Sequence, residues 1–142
     1  ALENEILIKI FSNFLKYFKE SNINTDYRIT DNSNSGTIKV FRKFLTEGKL
    51  DTFLSLDRMR FIISAIFSDT NDKILLEFRS VYLNYFKEMK HLFSENGNIN
   101  KIKVIRNLGA HTNPIKRQIA EDFYSTFKLT FNEILNNYNL QY

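Results

Sequence analysis

At 142 residues the chain is long enough for one domain with a substantial hydrophobic core and too short for two, so a single domain over residues 1–142 is expected. Fourteen Phe and seven Tyr supply large apolar area, and the absence of Cys excludes thiol catalysis, zinc–thiolate sites and a disulfide framework together. The formal net charge is +4, and no apolar run approaches the roughly 18–20 residues of a membrane span, which points to a protein of the cytoplasm that makes no membrane contact.

The first helix is expected from Leu2 to about Glu20, because Leu7, Ile10, Phe11, Phe14 and Phe18 form one stripe of a 3.6-residue period. Ser21 to Gly36 is rich in Asn, Ser, Thr and Asp and carries no stripe, and reads as a mobile surface loop that simply connects. A short helix follows from Thr37 to about Glu47, with Ile38, Phe41, Phe44 and Leu45 inward and Gly48 as its stop. The next stripe, from Phe53 through Leu56, Met59, Ile62, Ile63 and Ile66 to Phe67, starts after Asp51 as N-cap.

A long helix is expected from about Asn71 to Phe93, with Ile74, Phe78, Val81, Tyr82, Tyr85, Met89 and Leu92 on its inner face. Another runs from about Ile99 to Leu108, closed by Gly109 as a left-handed residue. Asn113-Pro114 reads as N-cap and first helical position of the last helix. That helix extends to about Asn137 on a stripe of Ile115, Ile119, Phe123, Phe127, Phe131, Ile134 and Tyr138. No strand-like alternation of useful length occurs, so the fold class is all-α, a bundle of four to six helices with a long terminal one.

Charge singles out one region. From Asn96 to Ala120 there are five basic residues, Lys101, Lys103, Arg106, Lys116 and Arg117, and no acid; the remaining 117 residues sum to −1. Inside this region lies Arg106-Asn107-Leu108-Gly109-Ala110-His111, which holds one of two histidines. Histidine titrates near neutrality and can take a proton from a ribose 2′-OH or give one to a leaving 5′-oxygen. An arginine fork fits phosphate oxygens and the extra charge of a phosphorane-like transition state, and Asn107 can support either group.

Lys116 and Arg117 fall in the first turn of the last helix, where the macrodipole disfavours bases by a few tenths of a kcal/mol, about 0.3–1. An anion such as phosphate explains them, and pairing of Arg117 with Glu121 at i+4 is the plainer alternative. Lys101, Lys103 and Asn113 complete the set of phosphate-binding candidates. Glu88-x-x-His91 has the spacing of one half of a di-iron site, but no second copy accompanies it, so no metal or other cofactor is expected.

The segment Arg106 to His111 resembles the signature of the HEPN superfamily, an Arg, a polar residue and three to five further positions before a His. In that family the motif sits just ahead of the last long helix of a four- or five-helix bundle. The resemblance covers motif and topology. It implies a metal-independent endoribonuclease that leaves 2′,3′-cyclic phosphate and 5′-hydroxyl ends, with Arg106 on the phosphate, Asn107 as polar support and His111 in proton transfer. It also implies a homodimer that unites two motifs in one cleft, consistent with Arg106 and His111 lying about 140° apart on a continuous helix.

Such nucleases serve in abortive infection, toxin–antitoxin and other anti-phage systems, so an antitoxin or a fused effector domain is a further expected partner beside RNA. One branch of the family carries a Tyr two positions after the His; Asn113 stands there, which argues against control by AMPylation. The alternative is a HEPN-like bundle that binds RNA or nucleotide without cutting, or that dimerises within a larger protein. The start at Ala1 agrees with a domain of a longer chain.

Overall fold

The computed structural model describes residues 5–48, 54–110 and 117–141. It is all-helical, with no strand among the described residues. Its contacts divide the chain into two compact units, residues 1–83 and 84–142.

The first unit opens with a π-helical segment, Leu7–Ser12, that continues as helix α1, Asn13–Glu20. The reason is visible in the spacing. Ile6/Leu7, Ile10/Phe11, Phe14/Leu15 and Phe18 are all buried and recur every four residues. Each step of four overshoots an α-helical turn by about 40°, and a turn closed by i→i+5 bonds takes up the excess. Two carbonyls of this wider turn gain extra donors: the Asn13 side chain donates to Lys9 O at 2.8 Å, and the Tyr82 hydroxyl to Ile10 O at 3.2 Å. Ile8, off the buried stripe, is 61% exposed.

Helix α2 spans Ser35–Glu47 and packs on α1 and on α3, Leu56–Ala65. Gly48 ends α2 in an extended conformation, not a left-handed one. Ser55 caps α3, its hydroxyl accepting from the Arg58 N–H; Asp51, the expected cap, lies outside the described residues. Helix α4, Lys73–Phe86, brings Phe78 into the unit, where it stacks on Phe11 at 5.4 Å and meets Phe14 and Phe41 edge-on at 5.0 and 5.3 Å. Tyr82 adds a tilted ring at 5.0 Å. This aromatic cluster is the centre of the first unit.

The polar stretch between α1 and α2 is not a loose connection. The Tyr27 hydroxyl donates to Asp72 at 2.6 Å, and Asn34 reaches Ser68 at 3.1 Å. Asp31 accepts from the Thr70 hydroxyl and from both the backbone and side-chain nitrogens of Asn34. Arg42 donates to Tyr27 O at 2.8 Å. Ser68, Thr70 and Asp72 lie 34 to 45 residues along the chain from the groups they hold, so composition alone gives no sign of them.

Thr70 and Asn34 hold the Asp31 carboxyl below its ordinary value near 3.8. A depressed folded value contributes stability above the ordinary pKa, and the contribution is lost as pH falls through the lowered one. Asp31→Asn is therefore expected to lower the melting temperature by a few degrees at neutral pH and to leave a flatter dependence on acid. Thermal melts between neutral pH and the acid limb check this, and parallel curves for both proteins would refute it.

The second unit takes over at Asn84, within the last turn of α4. The long helix expected to reach Phe93 is broken by a 3₁₀ turn, Lys87–Met89, and resumes as the single turn α5, Lys90–Phe93. Two straight α-turns would put about 10 Å of axis between Phe86 and Phe93, whereas their rings meet edge-on at 5.3 Å. The helix breaks at Met89, whose backbone leaves the helical region (φ −113°, ψ 8°), and this change of direction lets the rings approach, with Met89 itself fully buried. Tyr85 donates to Ile134 O at 2.9 Å from within the same core.

Gly97 then starts α6, Asn98–Ala110, which packs on α5 and on α7, Arg117–Gln141. A Cβ at Gly97 would lie 2.4 Å from His91 O and 2.5 Å from Leu92 O. Both are backbone atoms that cannot swing aside, so Gly97→Ala is expected to cost about 1–3 kcal/mol, readable as a shifted urea midpoint. A midpoint equal to that of the native sequence would show that the turn yields freely.

Candidate functional site

Helix α6 forms because Ile99 and Ile102, 1% and 3% exposed, anchor one face of it. Its first turn is tied back by the Asn100 side chain, which donates to Glu95 O at 2.8 Å, and by Lys101 N–H to Gly97 O at 3.2 Å. The helix then runs unbroken through Arg106, Asn107 and Gly109 to Ala110. Gly109 is thus not the left-handed terminator expected of it, and no described glycine has a positive φ. Leu108 and Ala110 are strong helix formers on either side, and a helical glycine costs only about 1 kcal/mol relative to alanine.

That correction alters the register of the basic residues. On a continuous helix Lys103, Arg106 and Asn107 occupy positions i, i+3 and i+4 of one stripe, and Lys101 stands about 160° from Lys103. Lys101 is exposed and Lys103 half-buried. The backbone therefore groups Lys103 with the Arg-Asn pair and separates Lys101 from it. His111, Asn113 and Lys116 lie outside the described residues, as does the expected Asn113-Pro114 start of the last helix. Arg117 is the first residue of α7, whose first turn carries no acid. Helices α6 and α7 pack on each other.

Along α7 the expected stripe is only partly buried. Ile134 is 7% exposed, while Phe127 and Phe131 are half-buried, their rings stacked at 6.0 Å. Thr130, absent from the stripe, is fully buried, and its hydroxyl has no hydrogen-bond partner among the described residues. Tyr124 and Leu129 face outward at 66% and 68%. Ile115 falls outside the described residues.

His91 is an exposed side chain whose Nε2 lies 3.3 Å from Glu133 Oε1, a polar contact at the surface. No group of three potential metal ligands occurs among the described residues. No described helix is long and apolar enough to cross a membrane.

Sequence reasoning missed the basic residues of the first unit. Lys39, Arg42 and Lys43 share one side of α2, and Arg58 projects from α3 into the same cleft. Arg60 is 6% exposed, held by Asp57 at 3.4 Å and lying 4.4 Å over the Phe61 ring. The i, i+3, i+4 spacing on α2 was available as a signal, but nearby acids mask it in any count of charge along the chain.

No protein-family model matches the chain, and no curated protein or solved structure matches it.

Proposed function

We propose that this chain is a metal-independent endoribonuclease of the HEPN type, acting in the cytoplasm as a homodimer. The observation that carries the reading is the acid-free basic segment from Asn96 to Ala120, which holds Arg106 and His111 and takes in the whole of α6 and the start of the long helix α7. In the proposed reaction the ribose 2′-oxygen attacks phosphorus and the P–O5′ bond breaks. The 2′-OH proton passes to a histidine and the 5′-oxygen receives one, giving a 2′,3′-cyclic phosphate and a 5′-hydroxyl. Arg106 holds the equatorial oxygens of the transition state, with Asn107 beside it, and His111 moves the protons.

Two copies supply two histidines, one as base and one as acid. Lys103 and Arg117, with Lys101, Asn113 and Lys116, bind flanking phosphates. An antitoxin, or an effector domain fused to this one, would restrain such an activity in anti-phage defence. Cleavage of single-stranded RNA in EDTA, with analysis of both new ends, tests the reading. Products with 3′-phosphate-free ends, or no cleavage at any protein concentration, would overturn it.

One observation favours a second reading, a HEPN-like module that binds RNA or nucleotide without cutting. With α6 continuous to Ala110, no turn at Gly109 draws Arg106 toward His111 within one copy. Amide protection by phosphate over residues 106–117, without product, distinguishes this case.

A further inference from the structure

The first unit carries an open cleft between α2 and α3 that the motif does not use. One section, of about 290 Å³, is apolar and is lined by Val40, Phe61 and Ile62, with Gly36 leaving its end unobstructed. It shares Val40 and Arg58 with a second section of about 490 Å³, which Lys39 and Lys43 also line. Lys39 and Lys43 stand one turn apart on α2, about 6 Å along its axis. Among the described residues, Lys39, Lys43 and Arg58 make no ion pair, and Glu47 is the one acid of that section.

The aromatic at the apolar end is fixed and available. Phe61 is 46% exposed, although it belongs to a helix whose other large apolar side chains are buried. The Arg60 guanidinium covers the ring at 4.4 Å and is itself pinned by Asp57. Farther along, Arg42 is stacked on Tyr27 at 5.4 Å and uses only Nη1 on the carbonyls of Thr25 and Tyr27. An apolar slot beside a row of cations that make no ion pair among the described residues suits a base attached to a phosphate chain. An acidic peptide would use the cations and leave the slot empty.

We infer that the α2–α3 cleft binds single-stranded RNA, seating a base against Phe61 and the adjoining phosphates on Lys39, Lys43 and Arg58. The inference rests on RNA being the substrate, and it assigns the first unit a part in holding the strand. Exposed aromatics and basic rows of this kind bind without reading sequence, so the cleft contributes affinity rather than base preference.

The test uses the full chain with His111→Ala, so that RNA survives, and a fluorescein-labelled oligouridine of twelve nucleotides. The pair Lys39→Glu and Lys43→Glu is expected to weaken binding at least tenfold and to lower the slope of log affinity against log salt by about 1.4. Phe61→Ala is expected to weaken it about tenfold. Lys16→Glu, on the exposed side of α1, should change little. Thermal melts confirm folding, and protection of Lys39 and Lys43 from acetylation by bound RNA gives a readout that needs no substitution at the cleft.

Equal losses from Lys16→Glu, unchanged binding in the cleft variants, or acetylation without protection would each overturn the inference. So would cleft-dependent binding of oligoglutamate with none of oligouridine, which would assign the cleft to an acidic protein. Failure here is separable from failure of the nuclease reading. Cleft variants that bind and cut like the native sequence remove the cleft and leave the nuclease. Cleft-dependent RNA binding by a protein that never cuts removes the nuclease and leaves the cleft.

Discussion

Replacing His111 with Ala removes both the base and the acid of the proposed dimer and is expected to slow RNA cleavage by at least about 10²–10⁴-fold, the contribution of one positioned general acid–base group. At 1.36 kcal/mol per factor of ten, that is about 3–5 kcal/mol of transition-state stabilisation. Binding of uncut RNA should change little, because a neutral imidazole adds little to phosphate affinity. Arg106→Ala is expected to lose about 10²–10³ in rate, as for removal of a donor aimed at developing charge, and also some affinity. Arg106→Lys keeps the charge and loses the planar fork, so it should recover affinity before rate.

This pattern separates the two readings of the motif. A binding module loses affinity with Arg106→Ala and has no rate to lose. A nuclease shows a rate effect at His111 with affinity intact. Mixing the two inactive variants adds a third check: a composite site with one intact Arg and one intact His from different copies should restore part of the rate. Activity that survives both substitutions at native level would remove the motif from the chemistry altogether.

The fold was legible wherever local periodicity decides it. The stripes through Phe14, Phe41, Met59 and Phe78 placed each helix of the first unit, because burial of one helical face is written at a 3.6-residue spacing. Where distant partners decide, the sequence misled. Ser55, not Asp51, caps α3, and the stretch after α1 is held by Ser68, Thr70 and Asp72, about 34 to 45 residues away. The π turn is legible only in retrospect, from apolar pairs that repeat every four residues instead of alternating three and four.

The candidate site divides in the same way. Arg106, Asn107 and His111 are candidates by residue type and spacing alone, the side chains that the proposed proton transfer and phosphate binding would require. Their register could not. It depends on whether the chain turns at Gly109, and helix propensity on both sides carries α6 past it. The α2–α3 cleft was invisible for a different reason. Its cations come from two helices that packing brings together, and Glu47 on α2 and Asp57 on α3 dilute the excess of base in each helix taken alone.

The largest effect on stability is expected at Phe78. It is fully buried and touches Phe11, Phe14, Phe41 and Tyr82, with ring centroids between 5.0 and 5.4 Å. These rings come from the first helix, α2 and α4, so one side chain joins three elements. Phe78→Ala removes the transfer free energy of the ring and leaves a cavity that rigid aromatic neighbours cannot close, a cost of about 3–5 kcal/mol. Against a total stability on the order of 5–15 kcal/mol, that loss shifts the urea midpoint by about 1.5–3.3 M at a slope of about 1.5–2 kcal/mol/M. Phe78→Leu keeps most of the volume and should cost less than half as much. The exposed ring of Phe61 provides the contrast, since Phe61→Ala opens no cavity and should leave the midpoint nearly unchanged. A Phe78→Ala midpoint as close to native as that of Phe61→Ala would mean that the cluster does not hold the first unit together.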